Sequence, residues 1–154
     1  MPLLSAGQMF QTAQQQAINA VTLKTQSPVA AATYMALSTA AASGVLDSTA
    51  LTMAAASINE YATASGYARQ AYGPTAGTAA SPSQIWNTSQ ITWGPFTSAP
   101  GTAIWGILTT AASGTGVAPL LAFLLASSRT PAIGDSLQAA AGTGSAGVGF
   151  ICQV

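Results

Sequence analysis

The chain lacks histidine, has one cysteine and carries very little charge: three cationic and three acidic side chains in 154 residues, 4% of the total. Without histidine, the usual general base, the usual imidazole metal ligand and every Ser-His-Asp triad are excluded. The single cysteine, Cys152, excludes an intrachain disulfide and a cysteine-based metal site. Its place in an apolar C-terminal run suits a small buried hydrophobe better than a nucleophile. The acids Asp47, Glu60 and Asp135 are far apart in the chain, so a two-carboxylate site would require the fold to pair two of them. The cations Lys24, Arg69 and Arg129 are equally scattered and cannot neutralise a run of phosphates, which argues against a nucleic-acid partner. The expectation is a non-enzyme with no catalytic residue, no metal site and no cofactor. Long hydrophobic runs are also missing. The longest, 117–126, is about half a membrane span and contains Pro119, so no membrane-crossing segment is expected. Residues 1–4 have no cationic region and only the short Leu3-Leu4 pair, so no secretory signal is expected either.

What is present is neutral and apolar. Hydrophobic residues make up 49% of the chain and the formal net charge is zero, whereas ordinary soluble domains are about 25% charged. With no net charge, nothing repels neighbouring copies. A polar surface of Ser, Thr, Gln and Asn also loses less than a charged one when it packs against another protein. This composition predicts a subunit with much of its surface covered; a secreted protein with a neutral Ala/Thr-rich exterior is the alternative.

The stretch 60–73 organises the rest. It holds two of the six charged residues, Glu60 and Arg69, and three of the four tyrosines. From Tyr67 the residues alternate, with Tyr67, Arg69 and Ala71 on one side and Ala68, Gln70 and Tyr72 on the other, which predicts a strand. Gly66 before it and Gly73-Pro74 after it are turn residues. An Arg inside a strand of so neutral a chain needs a carboxylate or backbone carbonyls. Glu60 and Asp135 are the candidate partners, and contact with a neighbouring protein is the alternative.

Two regions are expected, an N-terminal helical arm and linker over 1–28 and a β domain over 29–154. Ser5 with Gln8 fits a capping box. Ala6, Met9, Phe10, Ala13, Ala17, Ile18 and Val21 recur at helical spacing, so a helix is predicted over 5–22. Its Ala-rich stripe, anchored by Phe10 and Ile18, suits packing on its own domain or on a neighbour. Strands are predicted over 29–38, 67–72, 85–93, 102–110, 119–128, 135–140 and 148–154. The 102–110 and 119–128 strands form a hairpin, 73–83 is a long surface loop, and 47–57 is a loop or a helical turn. Several short strands with turn signals between them predict a mainly β fold, an antiparallel β-sandwich of immunoglobulin-like or jelly-roll-like type with an N-terminal α-helix.

Three motifs carry possible chemistry. Gly134-Asp135-Ser136-Leu137 spells the nucleophile motif of GDSL esterases, but no acid or histidine follows to serve it, so a turn held by the Asp135 carboxylate is expected. The run Gly142-Thr143-Gly144-Ser145-Ala146-Gly147 fits a dinucleotide fingerprint without room for the helix and acid that must follow, and reads as a loop. Trp86, Trp93 and Trp105 could form a sugar-stacking platform, although aromatics at strand spacing more often anchor a core or an interface.

Taken in order, Tyr34-Met35-Ala36-Leu37, Gly66-Tyr67-Ala68-Arg69-Gln70, the Asn-Thr-Ser-Gln-Ile-Thr-Trp segment ending at Trp93, Trp105-Gly106-Ile107-Leu108 running into Ala111-Ala112-Ser113-Gly114, and Gly134-Asp135-Ser136-Leu137 resemble a group of small bacteriophage virion proteins. Members of that group are described as tail-fibre-like or as head cement and decoration proteins. The resemblance covers about residues 30–154. The hairpin here is richer in Ala and Leu than is usual in the group, and the 38–59 segment is long. The resemblance implies a β-sandwich that binds other virion proteins. Together with the covered-surface argument, it favours a cement protein on the head surface, bound to the major capsid protein as a homo-oligomer, with a trimer the favoured form. A tail-fibre or baseplate component and a carbohydrate-binding module are the alternatives.

Overall fold

The computed structural model describes residues 8–9, 11, 14–15, 33–39, 49, 51–54, 58–76, 84–87, 89–140 and 151–153. These form a mainly β structure of antiparallel sheets. The strands are β1 (Gln8–Met9), β2 (Thr33–Ser38), β3 (Gln70–Tyr72), β4 (Pro74–Ala76), β5 (Gln84–Asn87), β6 (Ile91–Trp93), β7 (Ala103–Thr109), β8 (Pro119–Arg129), β9 (Leu137–Ala139) and β10 (Ile151–Gln153), with one short 3-10 turn at Thr63–Ser65. A five-stranded sheet has the order β1-β8-β7-β2-β3, a three-stranded sheet the order β10-β5-β4, and β6 pairs with β9.

The five-stranded sheet is the frame. Its centre is β7, whose near-continuous apolar sequence suits a strand covered on both faces. Met35 and Leu37 of β2 lie opposite Leu108 and Gly106 of β7, which in turn lie opposite Leu121 and Phe123 of β8. This row forms the larger core. The β6–β9 ribbon covers it through Ile91 and Trp93, and Tyr61, Tyr67, Tyr72 and Phe96 close its margin. On the opposite face Ala36, Ile107 and Ala122 stand in register, beneath Met53, Ile58 and Val117. The small alanines let Met53 and Ile58 approach this face closely.

Gly106 is required by its cross-strand partner. The Phe123 ring lies where a Gly106 Cβ would sit, and Met35 Cε would be only 3.0 Å from that Cβ. A bulky ring resting on a glycine opposite is a recognised way of filling a sheet position that lacks a side chain. Gly106→Val should therefore cost about 1–3 kcal/mol by overpacking. Adding Phe123→Leu should recover part of the loss, since residues in contact are not additive. Urea titration of the two single variants and the double variant measures this.

Four sequence expectations are corrected. The helix over 5–22 is not supported at its start: Gln8 and Met9 pair antiparallel with Ala122 and Leu121. The edge of β8 offers these two residues backbone partners, which outweighs helical spacing. Gln11, Gln14 and Gln15 have helical backbone and exposed side chains; Phe10, Ile18 and the rest of that stretch lie outside the described residues. The single strand predicted over 85–93 is two strands in different sheets, β5 bonded to β4 and β10, and β6 bonded to β9. The surface loop predicted over 73–83 begins with β4, and the chain passes from one sheet to another at Gly73. Pro74 is acceptable there because it is the first residue of its strand.

The strand predicted over 67–72 is also shorter, since only Gln70–Tyr72 pairs with β2. Tyr67, Arg69 and Tyr72 are all buried while Ala68 and Ala71 are exposed. The alternation therefore changes phase between Arg69 and Tyr72, and Tyr72 reaches the same core as Tyr67.

Candidate functional site

Where β3 begins, the edge of β2 passes from one partner to another. β3 covers Thr33, Tyr34 and Met35, and Glu60 makes an isolated antiparallel bridge with Ser38. Backbone bonds from Tyr61 N to Leu37 O (3.1 Å) and from Thr39 N to Asn59 O (2.9 Å) hold that second segment. The N–H of Leu37, between the two pairings in sequence, donates to the hydroxyl of Tyr67 at 2.9 Å. That hydroxyl donates in turn to Glu60 Oε1 at 3.1 Å.

Arg69 completes the cluster. Its Nε donates to Glu60 Oε1 and its Nη2 to Glu60 Oε2, both at 2.7 Å, a side-on bidentate pair. Its Nη1 donates to Ala111 O at 3.0 Å, and Nη2 donates also to Gly114 O at 2.8 Å. The Arg69 side chain is only 3% exposed and that of Glu60 21%. A planar fork serves this task, because one face binds the carboxylate while the remaining N–H groups reach carbonyls. The hydrogen bonds to Glu60 raise the Arg69 pKa above its ordinary value. Of the two carboxylates the sequence offered, Arg69 takes Glu60. Asp135 lies elsewhere, exposed, with Oδ2 accepting from Ala132 N at 2.8 Å, an arrangement that closes a turn.

The ion pair joins the bridge at Glu60 and the lead into β3, nine residues apart in sequence, to the β7–β8 turn, 42 and 45 residues beyond Arg69. That turn is also held from its other side, by Met53 N to Val117 O (2.8 Å) and Ala54 N to Thr115 O (3.1 Å). The cluster spends its polar groups on one another and on backbone, so it positions the turn.

The aromatic neighbours make the surroundings dry. Tyr61 packs edge-on against both Tyr67 and Phe96, with centroids 5.6 and 5.8 Å apart, and donates to Gly101 O at 2.9 Å. Burial pushes the Tyr61 phenol up to about 12. Burial also pushes Tyr67 up, and the adjacent Glu60 charge pushes it further. Both folded values lie above the unfolded value near 10. The stability these neutral phenols confer is thus complete below about pH 10 and is lost as pH rises toward and beyond 12, at up to about 1.4 kcal/mol per pH unit for each tyrosine. Denaturant titrations at pH 8 and pH 11 should show the loss. Tyr67→Phe should be less stable than the parent at pH 8 and lose less on going to pH 11.

Trp93 and Trp105 do not converge. Trp93 is 2% exposed in the larger core, with Nε1 pointing to Met35 O at 3.4 Å. Trp105 is half-buried against the smaller core on the opposite face of the sheet. Trp86 lies on β5, opposite Thr75 and Ile151; its side chain is outside the description. A shared stacking platform that includes Trp93 is therefore not formed. Among the described residues no group of three or more His, Cys, Asp or Glu could hold a metal ion, and no helix is long and apolar enough to cross a membrane. The Gly-rich run 142–147 lies outside the described residues. Sequence reasoning found Glu60 and Arg69 but missed the role of the Tyr67 hydroxyl and of the Ala111 and Gly114 carbonyls. A tyrosine two residues before a buried arginine was the available signal. Comparison with protein families and with curated proteins finds no match to this chain.

Proposed function

We propose that this chain is a non-enzymatic structural subunit of a bacteriophage virion, a β-sandwich cement or decoration protein on the outer surface of the head. The observation that carries the reading is where the little charge goes. Of six ionisable charges, two face each other inside the fold, while Arg129 and Asp135 are the ones exposed among the described residues. An exterior so poor in charge gives up little hydration when another protein covers it. The rigid antiparallel frame suits a part that bears load rather than one that moves. Repeated as a homo-oligomer, a trimer by analogy with the resembling group, such a subunit would bridge neighbouring capsid proteins through many modest contacts.

Particles made without the chain test this. Heads lacking a cement protein should rupture at lower temperature or on dilution from salt, and adding back the purified chain should restore them. Heads of unchanged stability that fail to adsorb would overturn the reading in favour of a tail component. Specific binding of a glycan by the isolated chain would favour a carbohydrate-binding module.

A further inference from the structure

Of the large apolar side chains left exposed among the described residues, Leu51, Leu124 and Ile133, only Leu124 belongs to a strand. It lies opposite the half-buried Trp105, on the sheet face that carries Ile107 and Ala122. The residues that cover this face, Met53, Ile58 and Val117, leave Leu124 39% exposed.

The same end of β8 is short of neighbours. On its outer edge β8 pairs with β1 at Leu121 and Ala122, and from Phe123 to Arg129 that edge has no partner among the described strands. Towards β7 the register jumps from Trp105–Leu124 to Ala103–Arg129, so Ile104 alone stands against 125–128. Extra residues of this kind bend a strand away from its neighbour and leave them unpaired. A row of unpaired backbone N–H and C=O groups on an edge is a template for another strand, and natural sheets cover it.

We infer that residues 4–7 of this chain occupy that edge, continuing β1 along 123–126 and covering Leu124. The register already on β1 selects this occupant. Gln8 faces Ala122 and Met9 faces Leu121. Continued antiparallel, the same register sets Gly7 opposite Phe123, Ala6 opposite Leu124, Ser5 opposite Leu125 and Leu4 opposite Ala126. Side chains alternate along a strand, so Ala6 and Leu4 share the face of Leu124 and Trp105. Ala6 is then the direct cross-strand neighbour of Leu124 and Leu4 its diagonal one. Residues 4–7 contain no proline to interrupt a ladder and no charge to resist burial. A segment tethered at Gln8 also reaches the edge at a far higher effective concentration than any separate chain. The segment thereby closes the edge to strands of other molecules, a second copy included. The inference does not depend on the virion reading and would survive its failure.

A cysteine pair tests it. Ala6→Cys and Leu124→Cys are introduced together in a Cys152→Ala chain. Directly opposed residues of an antiparallel pair have Cα atoms about 4.5–5.5 Å apart, within the span of a disulfide. Oxidation should therefore give a disulfide within a single chain, read as a monomer of altered mobility on a non-reducing gel. Ala6→Cys with Ser128→Cys, displaced by about 13 Å along a strand, should oxidise about tenfold more slowly or less. Equal rates for the two pairs would mean a segment without register, and disulfide-linked dimers as the main product would mean that a second copy holds the edge. Either result overturns the inference, as does the absence of any disulfide. Amide hydrogen exchange supplies a second measure. In the otherwise unchanged chain, Ser5→Pro with Ala6→Pro removes two successive N–H groups, one of which faces β8 in either ladder phase. Exchange at the 123–126 amides that face outward should rise by about tenfold or more while β7 stays as protected as in the parent. Unchanged exchange at 123–126 overturns the inference; if β7 also loses protection, the variant has lost its fold and the cysteine pair alone decides.

Discussion

Arg69→Met is expected to lower the unfolding free energy by about 3–5 kcal/mol, a large share of what a domain of this size has. The loss comes from what remains after the change. Glu60 keeps its place beside Tyr67 with no cation to offset its charge, and the carbonyls of Ala111 and Gly114 lose their donors. Glu60→Leu should cost a similar amount for the converse reason, a guanidinium 3% exposed with no carboxylate. The double variant is the informative one. With both charges gone no unpaired ion is left inside, so the pair of changes should cost clearly less than the sum of the two. Urea titration of all four proteins measures the coupling, and strict additivity would show that the two residues do not act as a pair. The single Arg69 variant also separates structure from contact. Unimpaired stability together with lost particle binding would mean that Arg69 serves a neighbour and not its own fold.

How far the sequence led depends on what each segment pairs with. The strands β2, β7 and β8 were legible because each is apolar where the sheet is covered, and β7 is apolar on successive residues because both of its faces are. Residues 85–93 misled because an alternating pattern can be drawn through the whole segment. Its middle residues Asn87, Thr88, Ser89 and Gln90 are polar on both sides and serve a strand or the bend at Ser89 equally well. Gln8 and Met9 misled for another reason: a stripe at helical spacing is a local signal, and the available edge of β8 is a tertiary one. Within 67–72 the period was real but its phase was not constant, since the ladder starts at Gln70 and Arg69 turns inward to Glu60. Charge scarcity made the Glu60–Arg69 pair easy to suspect. The two carbonyls that share the guanidinium could not be suspected, because backbone partners leave no mark on residue identity.

Trp93→Ala should cost about 3–5 kcal/mol, comparable with loss of the ion pair, and by a wholly different route. Trp93 is among the largest fully buried side chains, and it lies on β6, whose only ladder partner among the described strands is the three-residue β9. A two-stranded ribbon of that length is not stable alone in water. Its attachment to the five-stranded sheet depends on the side chains it inserts, chiefly Trp93 and Ile91 beside Met35, Leu37 and Phe123. Removing the indole leaves a cavity that the surrounding strands, bonded in fixed register, cannot close. It also loosens the following segment, where Phe96 exchanges backbone bonds with Gly134 and Asp135 at 2.8 and 2.9 Å. Gly94, at φ 101 and with Asp135 O only 2.7 Å from where its Cβ would be, marks how closely those backbones run. Trp93→Phe keeps most of the volume and should cost less than half as much, because the indole N–H bond to Met35 O is long and contributes little. The check is thermal and urea unfolding of both variants, with hydrogen exchange at residues 91–97 and 137–139 against that of β7. If Trp93→Ala keeps the parent's stability but loses binding to a sugar or a partner, the side chain belongs to a surface and not to the core described above. If exchange rises first in the ribbon while β7 stays protected, the five-stranded sheet is the more stable unit and Trp93 is what fastens the second layer to it.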